Sequence, residues 1–144
     1  MSRSGYTDDA ENVELWRAAV DSALSGQRGQ AFLREMLAAF DALPKKCLIA
    51  DELVTAEGEC CAIGSVALRR GLDVSKVDMD DRDEVAEVFG IAPAMAAEIM
   101  WLNDEYLAWR HGGCEPEEPA LRFERMRSWI VSQIQVRPEE LVTP

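Results

Sequence analysis

Few side chains in this sequence are suited to chemistry. There is one histidine, His111, and there are four cysteines: Cys47, Cys60, Cys61 and Cys114. His111 and Cys114 are separated by two glycines, a metal-ligand spacing, and Cys60 with Cys61 would complete a Cys3His zinc set. Against that set, no Cys-x-x-Cys knuckle occurs, and adjacent cysteines rarely both face one ion. The competing reading makes Cys47 and Cys61 small buried hydrophobes and His111-Gly112-Gly113 a loop. A Cys–His nucleophile pair would need His111 beside Cys60, Cys61 or Cys114, and no motif surrounds any of them. No phosphate-cradling glycine loop is present. Paired carboxylates carry little information in a chain with 27 acids. No catalytic residue and no cofactor is therefore expected.

Two further motifs fail on their own terms. The run Asp78-Met79-Asp80-Asp81-Arg82-Asp83-Glu84 resembles a calcium loop, but positions five and six fall on Arg82 and Asp83. Carboxylates at a helix N-terminus explain it better. Ala86, Gly90, Ile91 and Ile99 sit at about helix-turn-helix spacing. The reading helix would then present Ala94, Ala97, Glu98, Met100 and Trp101, with no Arg, Lys or Gln among them. Direct nucleic-acid binding is not expected.

What remains is charge. The 144 residues carry 15 basic and 27 acidic groups, a net −12 with pI ≈ 4.5. The acids are spread over Asp8 to Glu14, Asp51 to Glu59, Asp73 to Glu87 and Asp104 to Glu118. Such a surface repels phosphates and steers basic partners. The bland alternative is that the charge keeps a small protein soluble. Trp101 lies off the Met95–Ile99–Leu102 stripe, so it reads as an exposed contact anchor, with burial against a neighbouring helix as the competing reading.

The elements that must position these groups are helices. Val13, Trp16, Val20, Ala23 and Leu24 form one apolar face, which Gly26 ends. Phe32, Leu33, Met36, Leu37 and Phe40 form a second, stopped by Pro44. Cys60 or Cys61 opens a third helix, closed by Gly71, in which Gly64 implies close approach of another backbone. A short fourth carries Val85, Val88 and Phe89 and is capped by Gly90. Pro93 starts a fifth with Met95, Ile99, Leu102, Tyr106 and Trp109, ending at Gly112-Gly113. A sixth bears Phe123, Met126, Trp129, Ile130 and Ile134 and stops at Pro138. Two short apolar runs, Cys47–Ala50 and Leu53–Thr55, point to a β-hairpin or extended loop near residues 46–57. The fold class is mainly α: a flexible segment over 1–9, one α-rich domain of about six helices over 10–137, and a tail over 138–144. No apolar stretch approaches the ~18–20 residues of a membrane span, and no signal core leads the chain, so a cytoplasmic location with reduced thiols is expected.

Gly29-Gln30-Ala31-Phe32-Leu33-Arg34-Glu35-Met36 and Glu57-Gly58-Glu59-Cys60-Cys61-Ala62-Ile63-Gly64 resemble segments of a group of small phage- and prophage-encoded proteins. Phe89–Ala92, Asn103–Glu105 and Arg125–Trp129 fit the same group, so the resemblance spans about residues 5–135. It implies a phage setting, where small accessory proteins often bind and inhibit host machinery, and it carries no catalytic residues. The resulting expectation is a non-enzymatic, acidic interaction module that binds a basic host nucleic-acid-binding protein. Asp80, Asp81, Asp83, Glu84, Glu98 and Trp101 are its contact residues. The alternatives are a zinc or thiol protein using Cys60, Cys61, His111 and Cys114, and a structural homo-oligomer.

Overall fold

A computed structural model describes residues 13–106 and 117–136. Its described residues form six helices: α1 (Val13–Ser25), α2 (Gln27–Ala42), α3 (Ala62–Arg70), α4 (Arg82–Phe89), α5 (Pro93–Asp104) and α6 (Pro119–Gln133). The mainly α, single-domain expectation holds. Helices α1, α3 and α6 each pack against both α2 and α5, whereas α4 packs on α5. A two-sided bundle results, with α2 on one side and α5 on the other.

Local signals account for most boundaries. The Asp81 carboxylate accepts the Asp83 and Glu84 amides and so caps α4. Gly71 and Gly90 close α3 and α4 in the left-handed conformation that glycine adopts without a Cβ clash. Pro93 and Pro119 occupy the first turns of α5 and α6, where a missing N–H costs nothing. The apolar stripes are buried as their periodicity requires. Phe32, Leu33, Met36 and Phe40 of α2 meet Phe123, Met126 and Ile130 of α6 in one core, where Phe40 stacks on Phe123 at 5.1 Å. Such a ring pair adds roughly 0.5–1.5 kcal/mol beyond its area. Helix α5 stops at Asp104 and not at Gly112-Gly113; Trp109 and those glycines lie outside the described residues, as do residues 1–12, Pro116 and Pro138.

The hairpin differs from its expected place. Its arms are Leu53–Thr55 and Glu59–Cys61, joined through Gly58 at φ 85°, not the two runs within 46–57. Thr55 N–H donates to Glu59 O at 2.8 Å and Cys61 N–H to Leu53 O at 3.1 Å. Residues 47–50 lie alongside, with Ile49 N–H donating to Cys60 O at 2.9 Å. Glu59-Cys60-Cys61 is too short to signal a strand and runs directly into α3. Among the described residues the hairpin amounts to one β-bridge, Val54 to Cys60, and no sheet.

Polar side chains fasten this irregular stretch to the helices. Asn103, 1% exposed at the end of α5, donates through Nδ2 to Ile49 O and accepts the Ala62 amide on Oδ1. Arg122 of α6 donates to Asn103 O at 2.8 Å and to Leu48 O at 3.2 Å. Arg70, at the end of α3, forks onto Glu35 of α2 with two 2.7 Å bonds and lies over the rings of Phe32 and Phe89.

That fork has a pH consequence. The hydrogen bonds from Arg70 hold the Glu35 carboxyl below its ordinary 4.5, against the opposing effect of desolvation. A depressed carboxyl stabilises the fold fully above its unfolded pKa and loses that contribution as pH falls through the lower folded value. Glu35→Gln should therefore be less stable than the wild type near neutrality, with the gap closing below about pH 4.5. Urea unfolding at a series of pH values checks this; a gap that persists unchanged into acid would contradict the assignment.

Candidate functional site

The acidic edge lies at the start of α4. Between residues 73 and 87 the chain has seven carboxylates and two cations, Lys76 and Arg82. Asp78, Asp80, Asp81, Asp83 and Glu87 are exposed, and Glu84 is half-buried. The backbone beneath them is held by the acids themselves. Asp73 accepts the Ser75 amide, Asp78 the Asp80 amide, and Glu84 the Asp78 amide at 2.6 Å. Short polar side chains favour such turns because they supply an acceptor two or three residues away. The run thus serves local structure first, and its carboxylates still point to water. Arg82 is turned over the Trp16 ring at 4.9 Å.

Many cations elsewhere are engaged within the fold. Arg125 forks onto Glu117, Arg127 onto Asp41, and Arg122 lies 3.5 Å from Glu117. Lys46 Nζ donates to Phe40 O, Asp41 O and Leu43 O at the end of α2, where a cation complements the helix dipole. These contacts spend much of the limited positive charge on intramolecular partners.

Two expected contact residues are placed otherwise. Glu98 is 4% exposed, and Arg17 of α1 donates to its Oε1 at 2.9 Å. It is a buried partner of an inter-helix ion pair and not a surface group. Trp101 is half-buried, with its ring edge-on to Tyr106 at 5.6 Å. Ala97 and Met100, also expected to face outward, are buried. The reason is the position of α5: it is packed by α1, α3, α4 and α6, so nearly every face is covered. Helices α4 and α5 do meet at 109° across Gly90-Ile91-Ala92, a helix-turn-helix-like corner. Its second helix is nevertheless interior, with nothing to lay in a major groove. Asp80, Asp81, Asp83 and Glu84 are brought together; Glu98 and Trp101 belong to the core helix.

The thiols do not converge. Cys61 is the N-cap of α3, its Sγ accepting the Gly64 amide at 3.4 Å. Cys60 is buried beside it, and desolvation, with Cys61 adding to it, pushes its thiol up to about 12. Cys47, expected to be buried, is half-buried. His111 and Cys114 lie outside the described residues, and among the described residues no three His, Cys, Asp or Glu side chains group as metal ligands. Thiolate, not thiol, is the nucleophile. Of the three described cysteines, Cys47 should label first with N-ethylmaleimide at neutral pH, with Cys60 and Cys61 far slower. Peptide mass spectrometry over time reads the order; fast labelling of Cys60 would contradict its burial.

A second feature has no signal in the sequence. A groove of about 840 Å3 runs between the ends of α2 and α3 and the hairpin, bordered by Lys45, Cys47, Glu57, Glu59 and Arg69. Its lining residues come from four separate stretches, so neither periodicity nor motif spacing could find it. No single helix among the described residues is long and apolar enough to cross a membrane. Comparison with protein-family models, curated proteins and solved structures yields no match. The likeness to phage-encoded proteins therefore rests on the segments quoted above.

Proposed function

We propose that the protein is a non-enzymatic, acidic interaction module that docks onto a basic, nucleic-acid-binding protein. The observation that supports this reading is the carboxylate edge of residues 73–87: exposed, and held in shape by its own hydrogen bonds. Pre-shaped charge loses less conformational freedom on binding and accelerates encounter with an oppositely charged face. Carboxylates in such an array resemble phosphates in sign, so the partner is a protein whose basic surface otherwise holds nucleic acid. The resemblance to phage-encoded proteins adds the setting of an accessory factor that inhibits a host protein.

The test uses a variant carrying Asp78→Asn, Asp80→Asn, Asp83→Asn and Glu87→Gln. It keeps the Asp81 cap and the Glu84 bond while removing four charges. The wild type should retain a basic partner from host lysate at low salt and release it at high salt. Duplex DNA should compete, and the folded variant should retain much less. Equal retention by the variant, or binding indifferent to salt, would remove the proposal.

A further inference from the structure

The groove between α2, α3 and the hairpin has two walls of opposite charge. The helical wall carries Lys45, just beyond α2, and Arg69 of α3; the hairpin wall carries Glu57 and Glu59. Leu43, Ile49 and Leu68 supply apolar lining between them. Its volume of about 840 Å3 is within the roughly 300–1,000 Å3 of small-molecule sites. Each simpler ligand class meets an objection. An anion would face Glu57 and Glu59 on a chain of net charge −12. A cation would face Lys45 and Arg69. An uncharged apolar molecule would take water from four rim charges and return no counter-charge. A ligand with an apolar body and one charge of each sign satisfies both walls.

We propose that this groove binds a short apolar peptide with both termini free, its carboxylate toward Lys45 and Arg69 and its ammonium toward Glu57 and Glu59. The site is separate from the acidic edge at α4, so either proposal can fail without the other.

The probe is trileucine, titrated into the isotopically labelled full chain and followed by amide NMR shifts and calorimetry. Shifts should centre on Leu43, Cys60 and Leu68. Acetylating the amine or amidating the carboxylate should each weaken binding roughly tenfold, the loss of one charge-assisted contact. Arg69→Gln should erase the difference between trileucine and its amide. Glu57→Gln with Glu59→Gln should erase the difference between trileucine and its acetylated form. These exposed positions leave the fold intact, which circular dichroism checks. No shifts at the groove residues, shifts centred elsewhere, or blocked peptides that bind as tightly as free ones would each overturn the proposal.

Discussion

Gly64→Ala is expected to destabilise the protein by about 3 kcal/mol, a fall in Tm of roughly 6–12 °C. The sign makes it informative. Gly64 sits inside α3, where alanine is favoured over glycine by about 1 kcal/mol on propensity alone. A Cβ at this position would lie 1.8 Å from Leu53 O and 2.7 Å from its carbonyl carbon. Those are backbone atoms, and the same carbonyl accepts the Cys61 amide, so it cannot swing away without opening the hairpin. Thermal unfolding of the variant decides the matter. A neutral or stabilised Gly64→Ala would mean that the hairpin does not press on α3.

Arg122→Met should cost about 4 kcal/mol, because removing one member of a buried charged network leaves the others uncompensated. The Arg122 side chain is 7% exposed and that of Glu117 is 6%. Burial pulls the guanidinium below its ordinary value, while Glu117 pushes it back up. Without Arg122, the carbonyls of Asn103 and Leu48 lose a donor, and Glu117 keeps only the Arg125 fork. Lysine should rescue little, since a point charge cannot span both carbonyls as the planar fork does. Adding Glu117→Gln to Arg122→Met should return part of the loss, because an amide tolerates burial better than a carboxylate. Urea unfolding of the single and double variants reads the coupling; simple additivity would show that the two side chains do not share a network.

Both effects come from contacts far apart in sequence, and that separates what was legible from what was not. The helices could be read because their signals are short-range: a stripe of Phe32, Leu33, Met36 and Phe40, an Asp81 cap, a left-handed Gly90, a Pro93 in the first turn. Gly64 even announced its close neighbour, though not that the neighbour was Leu53. The acidic run at α4 was legible as both a cap and a charged surface. Glu98 was misread because its polarity suggested an outward face. The packing of α1 against α5 instead supplied Arg17, 81 residues away, and allowed the carboxylate to be buried.

By itself, then, the sequence determined which stretches are helical, where most of them begin and end, and that the protein carries a large negative charge. Capping, periodicity and net charge need only neighbouring residues or a sum. Tertiary structure alone decided that α5 is interior, that the hairpin pairs Leu53–Thr55 with Glu59–Cys61, which arginines are turned inward, and that a two-walled groove exists. Each of these depends on which surfaces meet across tens of residues, and that choice is made by packing and desolvation of the whole core.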